Sequence, residues 1–138
     1  MTEQVTAQRT FEPIPPEVEK IGRMVIGCGI AVHRYFGPGY KEAIYVESMC
    51  LEMDSRGINY ERETSILVYY KGRPVGSHRL DLLIEGALIL ECKVAECLLK
   101  VHTRQVVSYL KATDLRLGYV FNFNVDVLTE GGIKRVVR

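Results

Sequence analysis

Hydrophobic residues recur at helical spacing through the first part of the chain. Between residues 18 and 36 every third or fourth position is apolar, a period that predicts an amphipathic helix. The preceding segment Ile14-Pro15-Pro16-Glu17 suits a first helical turn, and Gly37-Pro38-Gly39 ends the helix. The pattern predicts a second helix from residue 40 to about residue 56, which Gly57 terminates.

The hydrophobic period changes in the middle of the chain. Residues 59–70 are rich in aromatic and β-branched side chains, and a turn follows at residues 71–74. Two further extended runs, residues 75–84 and 87–94, are joined by Glu85-Gly86. These features predict a three-stranded antiparallel meander. The last run begins with four apolar residues in succession, which is typical of a central strand.

The final third predicts one helix and two strands. Residues 100–112 return to helical spacing, residues 117–123 form an apolar strand, and residues 133–138 suit an edge strand. The element order is therefore α-α-β-β-β-α-β-β, an α/β fold with a mixed α+β sheet flanked by helices. Residues 1–13 are polar and without period, which predicts a loose N-terminal arm before a single domain over residues 14–138.

Composition narrows the class of protein. With 47% hydrophobic and 25% charged residues and a net charge of +1, the chain is expected to be globular. The sequence shows neither a run of about 20 apolar residues, as a membrane span requires, nor a secretion signal. This predicts a cytoplasmic protein that does not enter membranes. Near-neutral charge means that nucleic acid could bind only through a local basic patch. The four cysteines lack metal-site spacing and are interpreted as small hydrophobic residues.

One acidic residue falls on the apolar side of the second predicted helix. Val46, Met49 and Met53 lie within about 40° of Glu42 on a helical wheel. Two interpretations are open. Glu42 is either a helix-start acid that the helix dipole stabilises, or an acid that points into a cleft between helix and sheet.

Charged residues also interrupt two predicted strands. Glu91 and Lys93 are two residues apart and therefore share one face of their strand, while Cys92 points to the other. Asp81 and Glu91 lie four and five residues from the connecting turn, so they can be near-opposite neighbours. Paired carboxylates suit a hard cation such as Mg²⁺, and a neighbouring ammonium can orient water. The alternative is a simple ion pair between Glu91 and Lys93.

The third predicted helix carries two polar groups one turn apart. Gln105 and Tyr109 lie on the same side, and Gln105 is at the edge of the apolar surface. An amide in that position can hold a water molecule or a phosphate, or it can be an ordinary solvated boundary residue.

The chain resembles a known family at these positions. Gly39, Glu42 and Tyr45 are spaced as in the G-x-x-E-x-x-Y signature of the GxxExxY protein family, and the similarity extends over about residues 18–138. That family is placed in the PD-(D/E)XK nuclease-like superfamily. The resemblance implies a restriction-endonuclease-like core that binds Mg²⁺ or Mn²⁺ and hydrolyses phosphodiester bonds of DNA or RNA.

The superfamily motif can be transferred residue by residue. Asp81 matches the first acid, although Leu80 replaces the preceding proline, and Glu91-Cys92-Lys93 matches E-x-K. Glu42 matches the acid on the helix before the sheet, while Gln105 and Tyr109 resemble a Q-x-x-x-Y motif.

The resemblance implies a role for each of these residues. The metal ligands would be Asp81, Glu91 and the backbone carbonyl of Cys92. Lys93 would position the attacking water. Glu42 would complete the acidic cluster or hold a water molecule beside the metal ligands, and Gln105 would steady the phosphate or a metal-bound water.

Candidates for binding nucleic acid are residues near the motif. They are Arg79, Lys100, His102, Arg104, Tyr109 and Lys111. DNA is favoured over RNA, and a homodimer would double the contact area. The alternative hypothesis keeps the fold without catalysis, as an accessory module that binds nucleic acid or protein.

Overall fold

The computed structural model describes residues 12–138. Most of the predicted N-terminal arm, residues 1–13, lies outside this range. The described residues form three helices and five strands, and their order confirms the prediction. The elements are α1 (Pro16–Phe36), α2 (Glu42–Ser55), β1 (Tyr60–Tyr70), β2 (Arg73–Ile84), β3 (Leu88–Lys93), α3 (Lys100–Thr113), β4 (Leu117–Asn122) and β5 (Ile133–Val137).

The five strands form one mixed sheet in the order β1-β2-β3-β4-β5. Neighbouring strands are antiparallel except for β3 and β4, which α3 connects as a crossover and which therefore run parallel. The predicted meander is thus present, β3 is central, and β5 lies at an edge. Because β3 is covered on both faces, its apolar residues Leu88, Ile89 and Leu90 are all fully buried.

Helices cover both faces of the sheet. α1 and α2 pack on one face through Val25, Tyr45 and Met49, in the same cluster as Cys92 of β3. α3 packs on the other face through residues such as Val106. Cys92 therefore points away from α3, as alternation along the strand predicts. Within residues 12–138, no helix combines the length and the apolar character needed to cross a bilayer.

Two elements begin two residues away from their predicted starts, for identifiable reasons. α2 begins at Glu42 and not at residue 40, because Gly39 has φ 107° and Lys41 is extended. β2 begins at Arg73 and not at residue 75, because Lys71 and Gly72 have φ 49° and 75°. Two positive φ angles make a tight type I′ turn, which lets the ladder continue to its last pair.

Candidate active site

The sheet is irregular around Asp81. The ladder between β1 and β2 skips the pair Glu63 and Asp81, and Glu63 has φ 51°. The ladder between β2 and β3 stops at the pair Leu82 and Leu90, one position short of Asp81 and Glu91. Leu80 packs toward α3, whereas Leu82 packs toward α1 and α2, so the usual alternation of faces is broken. The main chain of Asp81 is thereby released from the regular ladder.

The carboxylates of Asp81 and Glu91 replace the missing ladder bonds. The backbone N–H of Asp81 donates to Oε1 of Glu91 at 3.0 Å. The backbone N–H of Cys92 donates to Oδ2 of Asp81 at 3.2 Å. Each acid thus binds the main chain of the opposite strand, and this reciprocal arrangement holds the two carboxylates side by side.

Glu91 is held in an environment that disfavours its charge. Its side chain is only 2% exposed. Burial, and then the neighbouring charge of Asp81, raise the pKa of Glu91 to about 8, against a smaller opposing effect of Lys93. Both effects favour the protonated form of this carboxyl. A cation placed between the two acids would reverse that preference, because it removes the repulsion.

Lys93 follows the pair on the same strand and is half-buried. Its positive charge partly offsets the effects that raise the pKa of Glu42 and of Glu91. In the part of the chain that the structure describes, Lys93 has no carboxylate within 4.0 Å of its ammonium. The simple Glu91–Lys93 ion pair is therefore absent there, and the ammonium is available to another group.

Glu42 approaches the pair from α2, of which it is the first residue. Burial, followed by the charge of Asp81, raises the pKa of Glu42. Glu42 and Asp81 line one open cleft of about 250 Å³, whose wall also includes Val46 and Arg62. Both interpretations of Glu42 therefore apply, since it starts the helix and also points into a cleft between α2 and the sheet.

Tyr45 fixes the start of α2. Its hydroxyl donates to the carbonyl of Gly37 and accepts the backbone N–H of Tyr40 at 3.3 Å. The ring is fully buried and stacks on Phe123 with 4.5 Å between centroids. The tyrosine of the G-x-x-E-x-x-Y pattern thus holds the loop that precedes Glu42. The sequence supplied this residue only as part of a motif, without its role.

Tyr109 of α3 closes the opposite side of the pair. It is 5% exposed, and burial, then the charges of Glu91 and Asp81, raise its pKa to about 12. The side chain of Gln105, one turn before Tyr109 on α3, partly offsets this rise in the pKa of Tyr109. The structure therefore places Tyr109 near the carboxylate pair, from the face opposite to Glu42, with Gln105 beside Tyr109.

The predicted nucleic-acid-binding residues occupy several surroundings. Arg79 forms an ion pair with Glu63 at 2.7 Å. The ring nitrogen Nδ1 of His102 accepts the backbone N–H of Leu99 at 2.9 Å, which closes the first turn of α3. The remaining basic candidates are exposed along α3, and they are Lys100, Arg104 and Lys111. They lie along the length of α3, within about 40° of one side of the helix.

Asn122 is a buried polar residue outside the set of site residues predicted from the sequence. It is 1% exposed and lies opposite Lys93 in the parallel ladder. Its side chain donates to the carbonyl of Ala95 at 2.8 Å and accepts the N–H of Ala95 at 3.0 Å. Asn122 therefore holds the chain that leaves β3 just after Lys93. An amide within an apolar strand was the available signal.

The donor atoms suit a small hard cation. Across the residues that the structure covers, no three His, Cys, Asp or Glu side chains form a metal-binding group. The available set is instead two carboxylates, each with one oxygen engaged by the main chain, together with backbone carbonyls. Mg²⁺ is commonly held by one or two carboxylates, with water and substrate phosphate completing its shell. The residues therefore fit such an ion.

The fold is a mixed five-stranded sheet between helices, with an acid on β2 beside Glu-x-Lys on β3. This architecture is that of a restriction-endonuclease-like fold. The family model described as the PD-(D/E)XK nuclease superfamily matches residues 19–136. The chain belongs to that superfamily. No curated protein and no solved structure matches it.

Proposed function

We propose that this protein is a metal-dependent nuclease that hydrolyses phosphodiester bonds of DNA or RNA, with DNA favoured. The observation that carries the proposal is the reciprocal bonding of Asp81 and Glu91, which holds two carboxylates together with a raised pKa at Glu91. A fold that needed only a hydrogen-bonded strand pair would gain nothing from two adjacent acids. Membership of the nuclease superfamily supports the same activity.

Each residue of the site has a proposed task. Asp81, Glu91 and the carbonyl of Cys92 would hold Mg²⁺ or Mn²⁺. When bound, the ion would neutralise phosphate charge and acidify a nearby water molecule. The ammonium of Lys93, free of ion pairs among residues 12–138, orients the attacking water and stabilises charge that develops at phosphorus.

Two further residues act on the same centre. Glu42 completes the acidic cluster from the cleft that it shares with Asp81. Gln105, one turn before Tyr109 on α3, steadies the scissile phosphate. Outer partners of this kind orient the groups that touch metal or substrate.

The basic residues of α3 and its neighbours are proposed to contact the polynucleotide backbone. They are Arg79, Lys100, His102, Arg104 and Lys111, with Tyr109 beside them.

We also propose membership of the GxxExxY family, on the spacing of Gly39, Glu42 and Tyr45. A cytoplasmic location is proposed because free cysteines persist in that compartment. A homodimer is proposed as a means of enlarging the contact area, and sedimentation tests it.

The decisive experiment combines metal binding with cleavage. Mg²⁺ and Mn²⁺ are titrated calorimetrically into the wild type and into Asp81→Asn, and plasmid and single-stranded substrates are assayed in parallel. The exposed Asp126→Asn serves as the matched control. Binding and cleavage in the wild type and the control, both lost in Asp81→Asn, are expected. Wild-type protein that neither binds metal nor cleaves would leave a nuclease-fold binding module.

A further inference from the structure

Acidic residues are absent from two long segments of the chain. Residues 64–80 and residues 97–113 contain no Asp or Glu, although the whole chain is nearly neutral with a net charge of +1. The two segments carry six of the positive charges. These are Lys71, Arg73, Arg79, Lys100, Arg104 and Lys111. Such segregation creates a local positive potential that the net charge conceals.

The two segments pack against each other in the fold. The β1–β2 hairpin contributes Ile66 and Leu80, and α3 contributes Val107, to one hydrophobic cluster. An open groove of about 370 Å³ lies between them, lined by Leu67, Val68, Tyr69, His78, Ser108 and Lys111 among others. We call it the hairpin–α3 groove. Only Arg79 of the six cations is paired with an acid among the described residues.

The hairpin–α3 groove leads to the carboxylate pair. His78 lines the groove and packs edge-on against Tyr109, with 4.7 Å between ring centroids. Tyr109 in turn belongs to one hydrophobic cluster with Leu80, the residue before Asp81, and with Ile89, two residues before Glu91. The groove therefore borders the part of the sheet that carries the carboxylate pair.

Tyr69 lines the groove, and Tyr70 follows it as the last residue of β1. Tyr69 and Tyr70 are 60% and 65% exposed. The ammonium of Lys71 lies 5.5 Å from the centroid of the Tyr70 ring. The tight turn at Lys71 and Gly72 holds these residues on a short, defined loop. Exposed rings interleaved with cations are the combination that binds unpaired bases, since rings stack on bases and cations contact phosphates.

We propose that the hairpin–α3 groove binds single-stranded nucleic acid and delivers it to Asp81 and Glu91. The inference rests on the proposed nuclease function, because it takes the bound strand to be the substrate of that site. A duplex satisfies the groove less well, since its bases are already stacked on each other and cannot reach the Tyr69 and Tyr70 rings. Single-stranded DNA and RNA share the required chemistry.

The dimensions of the hairpin predict a length requirement. Arg73 and Asp81 lie at the outer and inner ends of this stretch of β2, which spans about 26 Å at ~3.3 Å per residue. A stacked strand rises about 3.4 Å per nucleotide, so about eight nucleotides cover this span. Shorter oligonucleotides that occupy the inner site do not reach the tyrosines.

The test measures binding by fluorescence anisotropy in metal-free buffer, so that no cleavage intervenes. The probes are a single-stranded DNA of about 20 nucleotides, the same strand as RNA, its duplex, and a strand of about four nucleotides. Tyr69→Thr/Tyr70→Thr removes the rings and keeps strand-forming residues. Its control is Tyr35→Ala, whose ring is 83% exposed on α1. Thermal melting verifies that each variant is folded.

A second pair of variants tests the charges. Lys71→Asn/Arg73→Gln removes two cations, and asparagine tolerates the positive φ of the turn. Lys20→Ala/Arg23→Ala, exposed on α1, is the matched control. The hairpin variant is expected to make the negative slope of log affinity against log salt about 1.4 less steep, at ~0.7 for each lost phosphate contact.

The outcomes are distinct. Tighter binding of the long single strand than of the duplex is expected, with at least a tenfold loss in Tyr69→Thr/Tyr70→Thr and none in Tyr35→Ala. Unchanged affinity in the tyrosine variant, or wild-type preference for duplex, overturns the proposal. A wild type that cleaves but shows unchanged binding in the variant contradicts the groove and leaves the nuclease intact. Binding that depends on the two rings, without cleavage in Mg²⁺ or Mn²⁺, supports the groove and contradicts the proposed nuclease function.

Discussion

Asp81 and Glu91 serve two purposes with the same carboxylates. One oxygen of each accepts a backbone N–H across the strand pair, which compensates for the interrupted ladder. The arrangement places like charges together in a buried position, which is unfavourable unless one acid is protonated or a cation is present. At the scale of single residues, the site therefore couples charge to stability.

Glu91→Gln is expected to change how stability depends on pH. In metal-free buffer, the pKa of Glu91 is about 8 in the folded protein against an ordinary value of 4.5, so the folded state retains a proton that the unfolded state loses. The free energy of unfolding should therefore fall as pH rises through this interval, by at most about 1.4 kcal/mol per pH unit. Glu91→Gln should lack that component in urea denaturation at several pH values.

The exposed Glu130→Gln provides the control for this experiment. It should retain the wild-type slope. Equal slopes in the wild type and in Glu91→Gln would contradict the assigned environment of Glu91.

Tyr45→Phe is expected to weaken the placement of Glu42. The substitution removes the hydroxyl that bonds to Gly37 and Tyr40 while it keeps the stacked ring. We expect a loss of about 1 kcal/mol in the free energy of unfolding. Metal-dependent cleavage should fall about tenfold, as for other outer partners of a metal site. Tyr40→Phe, whose ring is 45% exposed, is the control in the same denaturation and cleavage assays.

At the scale of elements, the distance between α3 and the sheet sets the position of Gln105 and Tyr109. α3 approaches β4 where Gly118 has no side chain. A Cβ there would lie 2.6 Å from Cγ1 of Val106 and 3.3 Å from the carbonyl of Ile89. Valine is stiff and fully buried, so it cannot turn aside. The glycine thus allows the close packing that brings α3 to the carboxylate pair.

Gly118→Ala should therefore move α3 outward. The expected cost in the free energy of unfolding is about 1–3 kcal/mol, which is typical of overpacking. Gly76→Ala is the matched control, because no atom lies within 4 Å of its added Cβ. Chemical denaturation measures the cost. A Gly118→Ala protein as stable as Gly76→Ala would show that the helix and sheet adapt without strain.

The whole molecule concentrates unfavourable charge at one place on the sheet. Glu42 of α2 and Glu91 of β3 each lie near Asp81 of β2, and the charge of Asp81 contributes to the rise in pKa of both. A ligand that binds the folded state alone and neutralises these acids must stabilise the entire fold. Ion binding and global stability are therefore linked.

Saturating divalent cation should raise the melting temperature of the wild type. At a concentration ten times its dissociation constant, Mg²⁺ or Mn²⁺ should add about 1.4 kcal/mol to the free energy of unfolding. Asp81→Asn should show no such gain, whereas Asp126→Asn should retain it. Differential scanning calorimetry with and without the metal measures the effect. Equal stabilisation of both variants would place the ion outside the proposed site.

The sequence by itself determined the order of elements, because each depends on a local hydrophobic period and on nearby turn residues. It also identified Asp81 and Glu91 as neighbours, since they flank the same short turn. The boundary of β2 was less accessible, because Lys71 adopts a positive φ that its residue type does not announce. The GxxExxY assignment remains a prediction.

Only the tertiary structure decided which distant residues meet at the site. Glu42 reaches Asp81, and Tyr109 reaches Glu91 and His78, through packing of α2 and α3 on opposite faces of the sheet. The hairpin–α3 groove arises in the same way, because it forms between two segments that contain no Asp or Glu and that are separated in the sequence. Local periodicity specifies elements, whereas contacts between residues far apart in the chain depend on how helices pack on the sheet.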